Sequence, residues 1–112
     1  MVMIDYRIEQ ADIVRFLALM ADRRRIRIRD GARQWSLLRD LEQPELWVES
    51  YHVPTWIDYV RHNLRRTKAD AENTQLLRGL HRGEGPPQVH RMIERQTVPL
   101  DDETPLVNVP EV

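Results

Sequence analysis

Five arginines crowd one short stretch of this sequence: Arg23, Arg24, Arg25, Arg27 and Arg29. Guanidinium groups keep their charge when desolvated and grip carboxylates or phosphates bidentately, so the chemistry on offer is anion binding. At about 100° per residue, an apolar stripe through Ile13, Phe16, Leu17 and Met20 continues through Arg24 and Arg27. Those two are the ligand-pocket candidates of the cluster, if the helix does not simply project past its core. The other three lie off that line, so no single basic ridge forms. The plainer alternative is a solvated helix end with cations at its negative pole.

The remaining chemistry-bearing residues are dispersed. His52, His62, His81 and His90 stand 10, 19 and 9 residues apart, which matches no zinc pattern. With no cysteine in the chain, thiolate zinc sites, disulfides and cysteine nucleophiles are excluded as well. Asp58 and His62 sit one helical turn apart and could pair as carboxylate and imidazole, although such pairs are mostly surface pairs. The run His81-Arg82-Gly83-Glu84-Gly85-Pro86-Pro87 follows a predicted helix, precedes a predicted strand and lacks Gly-Lys-Ser/Thr. It reads as a helix stop rather than a phosphate cradle. Trp35, Trp47 and Trp56 read as core or interface anchors before any cofactor platform.

The elements that must position these groups follow from periodicity. Val2, Ile4, Tyr6 and Ile8 alternate with polar neighbours and predict a first strand. From about Gln10 the spacing changes to a helical one, which Gly31 ends. Residues 33–41 and 45–53 alternate around Trp35 and Leu37 and around Trp47, Tyr51 and Val53, with a turn at Glu42-Gln43-Pro44-Glu45, and predict a hairpin. Thr55-x-x-Asp58 and Thr67-x-x-Asp70 resemble capping boxes that open two further helical stretches. Residues 88–95 predict a fourth, weaker strand. The order β-α-β-β-α(α)-β is that of a ferredoxin-like α+β domain, one four-stranded antiparallel sheet with helices on one face. Its other face needs cover, and a second copy of the chain is the economical solution.

Length and composition agree with one small domain. The chain has 112 residues, 41% hydrophobic and 31% charged, and its longest apolar run, Phe16 to Ala21, falls far short of a membrane span. Its formal net charge of -1 divides unevenly: residues 97–112 carry Asp101, Asp102, Glu103 and Glu111 with no base, which leaves +3 on residues 1–96. Residues 1–96 are therefore expected to fold and 97–112 to form an acidic tail, with Leu106-Val107-Asn108-Val109 as a possible swapped strand. The charge balance and the lack of any recognised motif speak against nucleic acid.

Several stretches together resemble a known module: Tyr6-Arg7-Ile8; Arg27-Ile28-Arg29-Asp30-Gly31-Ala32 running into Trp35-Ser36-Leu37; Trp56 with Arg61; Thr67-x-Ala69-Asp70; and His81-Arg82-Gly83 with Pro86-Pro87. The module is the soluble C-terminal domain of major facilitator superfamily transporters of the transmembrane secretion effector type, relatives of enterobactin exporters. It is similar in turn to the antibiotic biosynthesis monooxygenases, which are dimeric α/β barrels. Two departures qualify the resemblance. Asn63 stands where the module usually carries a histidine, and Tyr6 stands where haem-degrading relatives carry an asparagine, with no axial histidine near Asn73.

The resemblance implies a soluble accessory or regulatory domain of an exporter, or one derived from it, cytoplasmic as this fragment and at the cytoplasmic face of the inner membrane within a transporter. The expected partners are a second copy, the transporter's membrane domain and a small molecule. No cofactor, metal or catalysis is expected. The alternative is a cofactor-independent monooxygenase for a small aromatic substrate. On that reading Tyr6, His52 and Asn63 are the catalytic candidates, and Trp35 and Trp56 join Arg24 and Arg27 as pocket candidates.

Overall fold

The computed structural model describes residues 1–64 and 68–98, without the side chains of residues 59 and 62–64. Strand β1 (Val2–Arg7) leads through a 3-10 turn (Gln10–Asp12) into helix α1 (Ile13–Arg29). Strands β2 (Arg33–Arg39) and β3 (Leu46–His52) form the hairpin, helices α2 (Trp56–Leu64) and α3 (Lys68–Leu80) follow, and β4 (Gln88–Arg91) closes the sheet. The strand order is β2-β3-β1-β4, antiparallel throughout, which is the ferredoxin-like arrangement the element order implies.

Several boundaries are tighter than the periodicity predicts, each for a local reason. β2 stops at Arg39 because the Asp40 side chain accepts the Glu42 and Gln43 N–H groups, both at 2.8 Å, and turns the chain. β4 ends at Arg91, where the Met92 N–H reaches the Met1 carbonyl at 2.8 Å and no β1 residue remains to pair. α1 ends as expected at Gly31, whose φ of 96° is the left-handed conformation a side chain resists. The Thr55 box is present: its hydroxyl receives the Asp58 N–H at 3.0 Å and donates to the Asp58 carboxylate at 2.8 Å. Thr67, the tail from residue 99 and the 106–109 segment lie outside the described residues.

One face of the sheet makes the core. Val2, Ile4 and Tyr6 are buried along β1 and Ile8 just after it, and the pairings Val2–Tyr51 and Tyr6–Trp47 put the β3 aromatics on the same side. Phe16 and Met20 of α1 and Leu77 and Leu80 of α3 close over them. Phe16 is at the centre, with ring centroids 5.6 Å from Tyr6 and 5.4 Å from Trp47, both tilted as aromatic quadrupoles prefer. The opposite face carries Met3 and Asp5 of β1, Leu46 and Val48 of β3, Leu38 of β2 and His90 of β4. All six are at most half-buried.

Truncating Phe16, which is 0% exposed, leaves a cavity between three aromatic rings. Phe16→Ala is expected to lower unfolding free energy by about 3–5 kcal/mol, read from urea denaturation. Leu41→Ala, at a site 98% exposed, is expected to stay within about 0.5 kcal/mol of the unmodified chain.

Candidate functional site

Between α1 and the sheet the interior becomes ionic. Glu49 lies in the middle of β3, opposite Ile4 of β1, and is 0% exposed. Alternation along β3 dictates this: Trp47 and Tyr51 face the core, and the residue midway between them must do the same. Three donors converge on its carboxylate. Arg23 Nε donates to Oε1 at 3.2 Å, Arg27 Nε to Oε2 at 3.2 Å, and Trp35 Nε1 to Oε2 at 2.9 Å.

Each donor arrives by a specific local device. Arg23 and Arg27 are one turn apart on α1 and continue the line of Phe16 and Met20, so both point inward. Trp35 reaches Glu49 through a β-bulge, where Gln34 and Trp35 together oppose Tyr51 and Gln34 takes a φ of 52°. Arg27 also stacks its guanidinium 4.6 Å from the Tyr51 ring centre.

A second polar layer joins α1 to α3. Arg23 Nη1 donates to Asn73 Oδ1 at 3.2 Å and to Thr74 Oγ1 at 3.0 Å. Asn73 Nδ2 donates to the Leu19 carbonyl at 3.0 Å, and Arg29 Nη2 reaches Asp70 Oδ2 at 2.8 Å. Burial by itself would raise the Glu49 pKa, but Arg27 and Arg23 outweigh it and, with the Trp35 hydrogen bond, hold it below the ordinary carboxylate value. Desolvation likewise works against the charge on Arg27, and Glu49 more than reverses it, so its pKa is raised. Burial is the main cause that raises the Tyr6 phenol, so it stays protonated.

Beside this cluster is a cavity of about 40 Å³, room for two or three water-sized groups. It is lined by apolar Val2, Ile4 and Val89 and by Tyr6, Arg23, Arg27 and Arg78. Among the described residues no group of His, Asp, Glu or Cys could hold a metal, and no helix is long and apolar enough to cross a membrane.

The sequence candidates separate accordingly. Tyr6, Trp35 and Arg27 come together at the cluster or its cavity. Arg24 is exposed, because Arg23 rather than Arg24 takes the inward turn. Trp56 is 46% exposed on α2, and His52 is half-buried on the opposite face of the sheet. The Asn63 and His62 side chains lie outside the described residues. The arginine run is not a free basic patch: Arg25 pairs with Asp22 and Arg29 with Asp30 and Asp70, so among the described residues Arg24 alone of the five makes no ion pair. Glu49, Asn73 and Arg78 were not singled out by spacing. The legible signal was a carboxylate on the core-facing parity of β3 opposite arginines on the core-facing line of α1.

A family model described as "Transmembrane secretion effector" matches residues 1–98. The chain belongs to that family. No curated protein matches the sequence. Among solved structures, a putative antibiotic biosynthesis monooxygenase from Bordetella bronchiseptica is similar at a TM-score of 0.67 and 20% identity, over 85% of this chain and 95% of that one. A conserved protein from Methanosarcina mazei Go1 gives 0.66 and 16%, over 80% and 88%. A protein from Mycobacterium tuberculosis gives 0.62 and 14%, over 86% and 96%. These likenesses establish the fold that the family member adopts.

The pH dependence of stability follows from Glu49. Its pKa is depressed in the folded chain, so its contribution is complete above the unfolded value of about 4.3 and is lost as pH falls through the folded value. Glu49→Gln removes the buried carboxylate that two inward guanidinium groups share and is expected to cost about 3–5 kcal/mol at neutral pH. In urea titrations from about pH 7 to pH 3, the variant is expected to lose less stability than the unmodified chain.

Proposed function

We propose that this chain is an accessory domain of a major facilitator superfamily exporter, or derived from one, which contributes assembly or regulation and carries out no catalysis. The observation that carries the reading is the family match over residues 1–98. It is supported by what fills the space between helices and sheet. A site for a small aromatic substrate needs roughly 300 Å³ or more with mostly apolar walls. Here a buried carboxylate with its arginines occupies that space, beside about 40 Å³. That filling favours the accessory reading over a monooxygenase for a small aromatic substrate.

The open face of the sheet supports pairing with a second copy. Leu38 and Val48 are directly opposed on β2 and β3, with Met3 and Leu46 on the same face beside the Asp5–His90 pair, so apolar side chains are left for cover. A two-fold pairing would bury them against their counterparts. Localisation at the cytoplasmic face of the inner membrane belongs to the same reading.

Two measurements test the proposal. Light scattering on the purified chain is expected to give twice the 13.4 kDa mass, and Val48→Glu, which sets a charge on this face of the sheet, to give 13.4 kDa with the circular dichroism unchanged. A monomeric unmodified chain would overturn the pairing. An immunoblot of the native product is expected to show a species several times 13.4 kDa in the membrane fraction. A 13.4 kDa product free of membranes would overturn the exporter context.

A further inference from the structure

We infer that the cavity beside Glu49 is a binding site for the carboxylate group of a small organic acid. Three guanidinium groups, those of Arg23, Arg27 and Arg78, line it, and no acidic residue does. Glu49 lies just beyond, and its two oxygens are engaged by the Nε atoms of Arg23 and Arg27 and by Trp35. Among the described residues lining or adjoining the cavity, three guanidinium groups stand beside one carboxylate.

The donors available to a ligand can be named. Arg78 is exposed at the cavity and forms no ion pair or side-chain hydrogen bond with a described residue. Arg23 spends Nε on Glu49 and Nη1 on Asn73 and Thr74, which leaves Nη2 without a described partner. The Tyr6 side chain is only 3% exposed, yet no described residue hydrogen-bonds its hydroxyl. Kept protonated and lining the cavity, that hydroxyl is a donor open to a ligand.

The wall selects within the oxyanions: a partly apolar lining suits an anion carried on carbon better than a fully hydrated phosphate. Guanidinium forks match a carboxylate edge to edge. Val2, Ile4 and Val89 supply apolar wall for the carbon that bears the group, and exposed Arg78 marks where the rest of the molecule leaves toward solvent.

The inference stands on these side chains and is independent of the exporter reading. The test is a nitrogen–proton NMR titration of the 112-residue chain with sodium acetate and benzoate, against benzamide, sodium chloride and inorganic phosphate at matched ionic strength. Saturable shifts are expected with the two carboxylates at the backbone of Ile4, Tyr6 and Arg78 and at the Trp35 indole, which reports Glu49. Arg78→Gln is expected to weaken binding about tenfold and Tyr6→Phe by a few fold. Since Arg78 is exposed and unpaired among the described residues, its substitution is expected to leave the unfolding midpoint in place. Shifts shared with chloride or benzamide would overturn the inference. So would binding of phosphate in preference to the carboxylates, or carboxylate binding that Arg78→Gln leaves unchanged.

Discussion

The carboxylate of Glu49 is the fixed point of this domain. A charge with no exposure at all is tolerable only if its partners arrive in the right places, and here they come from α1 and from the bulged strand β2. An apolar pair of the same volume could hold the layers together as firmly. The ionic pair adds direction: two Nε donors one helical turn apart, each on its own oxygen, fix how α1 is rotated and how far it slides along β3. Arg23 then carries the constraint onward, because its other nitrogen grips Asn73 and Thr74 and so sets the height of α3. Burial of the apolar core around Phe16 supplies cohesion, and the charges supply the register.

This arrangement places ionic chemistry at the boundary between the helices and the sheet. A ferredoxin-like sheet with helices on one side leaves a seam between the two layers, and relatives in shape could fill that seam with different chemistry. Here the seam is filled by the protein's own ions, and what remains is small, basic and near the surface. In this member of the transmembrane secretion effector family the layers are thus locked by ions of the chain itself.

Much of this was legible in the residues. Period-two alternation in β1, the helical stripe to Met20, the glycine at position 31 and the Thr55 box each depend on neighbours within a few positions, and each is present. The strand order follows from the element order because few chain paths are allowed. The polar interior was harder to see for a physical reason. Hydrophobic periodicity treats a charged residue as outward-facing, so Glu49 and Arg23 register as breaks in a pattern whose phase they keep. Choosing Arg24 over Arg23 was a question of one residue on a helix, where three and four positions onward are equally near the stripe. Only the location of the acceptor, 26 positions away in the chain, decides it.

The two margins of the sheet are irregular in different ways. β4 has four residues, and β2 is interrupted near its start by the bulge that delivers Trp35 to Glu49. A short strand and a buckled one are both poor templates for another strand to extend. The same local distortion that completes the ionic core therefore spoils one margin for strand addition, and brevity spoils the other. Strand-to-strand accretion is thereby disfavoured at both margins, and contacts between copies are steered toward their faces.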